Sequence, residues 1–285
     1  MNRQDFRFFH RLRVRWAEVD MQKIVFNAHY LMYFDTAIAA YWRGLAAAYE
    51  PALHALGGDL YVKKASLEYF ASARYDDQID VGLRCARIGT SSLTFHGAIF
   101  KGENALVTGE LIYVFADPAT QTSKPVPPAL RELYESYESG QDMTELRVGA
   151  WDAASDGVSA LRQRVLVDEL GIQADLAWDA QDAHAVHATL VNRLCMPVAC
   201  GRLTKDAPGV GRIGRMAVES VLRSSGLGQQ VLHALLDAAR AQGDKQVLLH
   251  AHHDAQGFYR KQGFVTHGQP FEEAGVTHVE MAIWL

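Results

Sequence analysis

Cysteine is scarce. The 285-residue chain has three, Cys85, Cys195 and Cys200, an odd number without a C-x-x-C pair. That excludes a disulfide framework and a paired-thiol metal or redox motif, fits a reducing compartment, and leaves three buried neutral thiols as the plain reading. Positive charge is not in surplus either: 28 Lys and Arg against 33 Asp and Glu give a formal charge of −5. No broad basic field draws nucleic acid to such a surface. Long apolar runs are missing, and nothing approaches the roughly 20 residues of a membrane-spanning helix. The opening "MNRQDFRFFHRLR" lacks the apolar segment of a secretory signal. The expectation is a cytoplasmic protein with no membrane and no nucleic-acid partner. Nor is there a repeat of solenoid period. What is present, 49% hydrophobic and 21% charged residues, suffices for one large domain or two ordinary ones.

The polar stretch "YESYESGQDMTEL" separates two regions that each hold enough pattern for a core, which places domains at 1–140 and 146–285. In the first, "FHRLRVRW" alternates as a strand. In "HYLMYFDTAIAAYWRGLA", Leu31, Phe34, Ile38, Tyr41, Trp42 and Leu45 fall at helical spacing, which predicts a helix starting near His29. Four strand-like runs follow, from "LYVKKASLEYF" to "ALVTGELIYVFAD", and "ALRELYESY" reads as a closing helix. Antiparallel sheet around one helix is the economical packing. The second region mixes strands with helices over "VSALRQRVLVDEL", "QQVLHALLDAARAQG" and "AQGFYRKQG". The whole chain therefore reads as α+β, with an α/β pattern in its second half.

Asp20 ends the first strand-like run just ahead of the helix. A carboxylate there lies near the unpaired N–H groups and positive dipole end of a helix start, which polarise a carbonyl. It serves as a nucleophile or as a general base for water, with the Asn27 amide orienting the carbonyl or the water. The same residue equally reads as a turn cap. The surrounding pattern, carried by Arg15, Trp16, Glu18, Asp20, Ile24, Val25, Phe26, Asn27, Tyr30, Leu31, Tyr33, Phe34 and Asp35, resembles the hotdog-fold acyl-CoA thioesterases of the 4-hydroxybenzoyl-CoA thioesterase and YbgC type. The resemblance covers residues 5 to about 137. It implies a hotdog domain, Asp20 as catalytic carboxylate, Asn27 at a position often held by His or Asn, Tyr30 packed at the start of the central helix, an acyl-CoA substrate, and a homo-oligomer formed through this domain. One departure stands out. Where the family has Gly three residues after the Asp, this chain has Lys23, which either narrows the site or offers its charge to a CoA phosphate.

In the second half, "RMAVESVLRSSGLGQQVL" sets Arg223, Gly226 and Gly228 between a strand and an amphipathic helix. Glycines let backbone amides approach an anion at a helix start, as a phosphate site requires, although a bare G-x-G is also an ordinary tight turn. No G-K-[ST] follows, which excludes a P-loop, and the third glycine of a dinucleotide fingerprint is absent. With "FYRKQGF" about thirty residues on, the region from about residue 146 to 285 is similar to the GNAT N-acetyltransferases of the ElaA-like branch. By that resemblance Met216, Ala217 and Val218 line acetyl-CoA. Arg223, Ser224, Ser225, Gly226, Leu227 and Gly228 hold its pyrophosphate. Tyr259 protonates the departing CoA thiolate, and an unidentified amine accepts the acetyl group. Tyr259 also reads as a buried aromatic of the last helix. Glu219 and Glu273 are candidate bases that read as well as solvated carboxylates.

"HAHHDA" offers a rival, because His250, His252 and Asp254 form an H-x-H-x-D arrangement with two imidazoles on one strand face. A binuclear metal site would need a further His where Ala255 stands, so no metal is expected. The sequence thus predicts two CoA-thioester enzymes in one chain, hydrolysing an acyl-CoA and transferring acetyl from acetyl-CoA. Its alternative is an acetyltransferase beside a non-catalytic acyl-CoA-binding or oligomerising hotdog domain.

Overall fold

The predicted helix of the first half is α1 (Asn27–Gly44), and it begins two residues earlier than the sequence spacing suggests. Its buried stripe is Tyr30, Tyr33, Phe34, Ala37, Tyr41 and Trp42, turned slightly from the predicted one, with Leu31 and Ile38 half-buried at the margin. The helix is apolar over a wide arc, so aromatic size rather than spacing decides which side faces the sheet. These features come from a computed structural model that describes residues 1–151, 155–273 and 276–285, the side chains of Ser155, Asp156, Glu273 and Val276 excepted. The chain divides into two units, Met1–Met143 and Thr144–Leu285.

The first unit wraps five antiparallel strands around α1. They are β1 (Phe8–Arg13), β2 (Asp59–Tyr69), β3 (Gln78–Ile88), β4 (Ser92–Lys101) and β5 (Asn104–Ala116), in the order β1-β3-β4-β5-β2. Gly97 of β4 pairs directly with Gly109 of β5. A Cβ on Gly97 would lie 2.4 Å from the Phe34 ring, and one on Gly109 would lie 3.0 Å from it. The paired glycines are the hollow in which the helix rests. A short α2 (Tyr49–Ala55) follows α1, and α3 (Pro128–Glu138) opens with proline at its first position, where the ring's fixed φ suits a helix start. Tyr134 of α3 stacks on Tyr41 and meets Trp42 and Phe95 edge-on, so α3 closes the aromatic core.

The second unit is an eight-stranded sheet with helices. Its elements are β6 (Thr144–Gly149), α4 (Ser155–Arg162), α5 (Ala174–Ala177), β7 (Val186–Asn192), β8 (Pro197–Ala207), β9 (Val210–Val218), α6 (Leu227–Ala241), β10 (Gln246–His252), α7 (Gln256–Lys261), β11 (Val265–Thr266), β12 (Phe271–Glu273) and β13 (Val276–Trp284). The strand order is β11-β13-β10-β9-β8-β7-β6, with β12 added to β13. All described pairs are antiparallel except β9 with β10. The single helix predicted over "VSALRQRVLVDEL" is α4 continued by a π-helical turn at Gln163–Glu169. Buried Val231, Leu232, Leu235, Leu236 and Ala239 hold α6 against the sheet, the stripe that helical spacing predicts. Cys85 is half-buried and Cys200 buried, whereas Cys195 is exposed in the β7–β8 turn at φ 58°. Among the described residues no helix is long and apolar enough to cross a membrane.

Candidate functional site

In the first unit the path from β1 to α1 is pinned at several points. Glu18 is 3% exposed and accepts from the Arg15 amide and the Tyr33 hydroxyl, each at 2.8 Å, and from the Arg15 side chain at 2.7 Å. Burial pushes its carboxyl up, but these donors outweigh burial and hold it below its ordinary value. Further on, the Val25 amide donates to the Ala73 carbonyl, and the Ala73 amide donates to the Tyr30 hydroxyl, both at 2.9 Å. Val19 bridges Val25, and a tight turn closes between them as the Lys23 amide donates to the Asp20 carbonyl at 2.9 Å.

Asp20 sits at the mouth of this turn. Its Oδ1 accepts from the Gln22 amide at 2.8 Å, an Asx turn that fixes the carboxylate's direction while Oδ2 has no partner among the described hydrogen bonds. This hydrogen bond is the one the turn-cap reading expects. Asn27 is the exposed first residue of α1, and no side chain caps that helix start. Lys23 lies at φ 62°, the left-handed region that glycine enters at least cost. Lys23 thus holds this backbone conformation with strain, its side chain exposed. Trp16 is 78% and Met21 99% exposed beside this turn, and Phe26 is exposed too.

In the second unit β9 and β10 pair over three residues only, from Gln246 with Val210 to Leu248 with Arg212. Beyond that point β9 runs to Val218 and β10 to His252 without pairing to each other. The strands part there, and a cavity of about 560 Å³ has Met216, Arg215 and Tyr259 in its lining. Between Arg202–Gly214 and Cys200–Ala217 the β8–β9 register shifts, so Arg215 and Met216 oppose Gly201 in a bulge. Ala217 is buried and Val218 half-buried. Tyr259 is 7% exposed on α7, and burial pushes its hydroxyl up to about 12. It keeps its proton at neutral pH.

The loop from Arg223 to Gly228 lies outside this cavity's lining. Ser224 is left-handed at φ 64° and Gly226 at φ 88°, which turns the chain into α6 with no side-chain cap. The Ser225 hydroxyl donates back to the Leu222 carbonyl at 2.5 Å, and Leu227 is buried. Gly228 leaves only 3.3 Å between a built Cβ and Val218. Among the described bonds, no amide from Ser224 to Gly228 donates to a protein acceptor. Arg223, however, is held by Glu169 through both terminal nitrogens at 2.5 and 2.7 Å, and its Nε donates to the Val218 carbonyl. Arg223 therefore serves to fix the loop.

Glu219 is not solvated, because it pairs with Arg164 at 2.8 Å. The Glu273 side chain lies outside the described residues. His250 Nε2 accepts from Arg212 at 2.8 Å, and His252 Nδ1 accepts from the Asp254 amide at 3.3 Å. Their ring nitrogens serve a hydrogen-bond network, and among the described residues no group of three or more His, Cys, Asp or Glu is placed to hold a metal. The sequence reading missed Glu18, whose charge inside an apolar run was the available signal. It also missed the buried Arg162, Asp182 and Arg202 and the more exposed Asp179, which are scattered along the chain and meet only in the fold.

A family model for the acetyltransferase (GNAT) domain matches residues 177–285, and one for the thioesterase-like superfamily matches residues 14–133. The chain is 32% identical to the uncharacterized N-acetyltransferase YjcF of Bacillus subtilis over 123 residues, 42% of this chain and 86% of that protein. It is 28% identical to the acyl-CoA thioester hydrolase YbgC of Escherichia coli over 120 residues, 42% of this chain and 89% of that protein. A solved thioesterase from Thermus thermophilus, complexed with coenzyme A and Zn, is 23% identical, with a TM-score of 0.42 over 48% of this chain and 97% of its own. The antiparallel sheet around α1 and the mixed sheet behind α6 agree with the two family-model matches: the first half is similar to the thioesterase-like superfamily, and the chain belongs, through its second half, to the GNAT acetyltransferase family.

Proposed function

We propose that the chain is a bifunctional CoA-thioester enzyme. The second unit transfers acetyl from acetyl-CoA to an amine. The observation that carries this reading is the parting of β9 and β10, where the adjoining cavity has a protonated tyrosine in its wall; the uncapped start of α6, outside that lining, offers amides without protein acceptors among the described bonds. The amine nitrogen attacks the thioester carbonyl, the C–S bond breaks, and Tyr259 gives its proton to the leaving sulfur; the acylated nitrogen releases its proton to water, from which Tyr259 is reprotonated. The loop amides from Ser224 to Gly228 bind the pyrophosphate, and Met216, Ala217 and Val218 face the thioester arm.

In the first unit Asp20, with one oxygen anchored and the other open, directs water or itself at an acyl-CoA carbonyl, and Asn27 orients the carbonyl. Water supplies the hydroxyl of the acid product, and CoA leaves as the thiol. The exposed Trp16, Met21 and Phe26 flank this site in a single copy, and we read them as covered by a second copy of the chain.

Two readouts on one set of proteins test both halves. Thiol release from an acyl-CoA panel without amine should fall about 10²-fold or more in Asp20→Ala and stay unchanged in Tyr259→Phe. N-acetylation of an amine panel should show the reverse. Binding of acyl-CoA with no thiol release would reduce the first unit to a ligand-binding or oligomerising domain. Absence of any acetylated amine across the panel would remove the transferase role.

A further inference from the structure

The cavity beside Met216 and Tyr259 has a charge imbalance that acetyl transfer does not use. Arg202, Arg212 and Arg215 line it, and Asp179 is the sole carboxylate among its described lining residues. Arg212 is matched by Asp206 at 2.6 Å and Glu280 at 3.0 Å. Arg202 shares Asp182 with the fully buried Arg162 and Asp179 with Arg215. Arg162 pairs with Asp182 at 2.9 Å, Arg202 reaches Asp179 at 2.5 Å and Asp182 at 2.8 Å, and Arg215 reaches Asp179 at 3.0 Å. Three guanidinium groups thus meet two carboxylates. His187, which touches the Asp182 carbonyl at 2.9 Å, is pushed toward neutrality by burial and adds no compensating charge.

Donors are left over as well. Arg215 Nε and Arg162 Nε and Nη2 are buried without an acceptor among the described residues. Both Asp179 oxygens already accept from Arg202 and also take the Gln181 amide and Arg215. Buried charged donors without acceptors are costly and mark a place where a ligand or water supplies the missing acceptor. Arg215 moreover stands at φ 52° in the β9 bulge, where glycine fits with less strain. Burial and the nearby Arg202 charge push its guanidinium below its ordinary value, as expected of a site short of negative charge. The pyrophosphate of CoA has its own amides at Ser224 to Gly228, outside this lining.

We propose that Arg215 and Arg202 form a carboxylate subsite, so that a substrate of the acetyltransferase half carries a carboxylate into this cavity. The proposal rests on the acetyl-transfer reading above. The carboxylate belongs either to the amine acceptor, as in an amino acid, or to the acyl chain of the donor, as in a dicarboxylic acyl-CoA. Leu166, Leu170, Ile172 and Leu176 in the same lining suit an aliphatic spacer.

The test uses the full chain and detects N-acylated product by mass, which leaves hydrolysis in the first unit unread. With acetyl-CoA, 4-aminobutyrate against n-butylamine reads the acceptor. Succinyl-CoA against acetyl-CoA reads the donor. One pair should favour its carboxylated member by about tenfold or more in kcat/KM, with the preference lost in Arg215→Gln and partly restored in Arg215→Lys. Glutarate titrated by calorimetry reads the subsite without turnover, so it still decides if no amine is acylated. Weaker glutarate binding in Arg215→Gln than in the parent supports the subsite even then. Equal use of both members of both pairs, or glutarate binding absent from the parent or unchanged in Arg215→Gln, overturns it.

Discussion

Glu18 shows how a residue two positions from the candidate nucleophile sets that residue's geometry. Its carboxylate gathers the Arg15 amide, the Arg15 guanidinium and the Tyr33 hydroxyl, tying the end of β1 to the second turn of α1. Its acidity is held below the ordinary 4.5, so its contribution is complete above that value and disappears as pH falls through the lowered one. Glu18→Gln keeps the size but loses the charge-assisted bonds. It should cost about 1–3 kcal/mol at pH 7 and flatten the fall of stability below about pH 4, as urea unfolding across pH would measure. At this scale the sequence was half legible. Asp20, Asn27 and Tyr259 stood out in the sequence because a family pattern runs through them, and their roles are proposals. Glu18 was not read as structural, since a buried acid looks like an exposed one until its donors are placed. Arg223 was readable as part of the loop but not as the partner of Glu169, which lies on the π-helical turn.

Elements were more legible than their contacts. Helical spacing located α1 and α6, and alternation located most strands, because both periods are local properties of the chain. The paired glycines of β4 and β5 were not legible as a pair, since register across strands is set by the turn between them and by packing. Their meaning is steric. Gly97→Ala would place a methyl 2.4 Å from the Phe34 ring, so helix or strand must shift. A loss of about 1–3 kcal/mol is expected in chemical unfolding, reduced when Phe34→Leu is added, because the smaller side chain vacates the ring's place. The bulge at Arg215 was illegible for a related reason: a left-handed arginine inside an apparent strand leaves no signal in composition.

For the whole molecule, the sequence read two cores and the structure describes two units, each with its own sheet. The surface of the first bears on assembly. Trp16 and Met21 are among the most exposed large side chains of the protein, beside the candidate carboxylate. Light scattering should therefore give a mass at least twice the 31.6 kDa of one chain, and charged replacements at Trp16 and Met21 should lower it. A monomeric parent would refute the covering copy. The second unit carries a different kind of incompleteness. Where β9 and β10 separate, each has lost its neighbour, and their facing N–H and C=O groups have no strand across the gap. On the acetyl-transfer reading, the arm of CoA, with two amide groups spaced along an extended chain, lies in that gap as a guest strand. The sheet is then a fabric with one seam open by construction, and the co-substrate is the thread that closes it, so that occupancy and sheet integrity become one property of the protein.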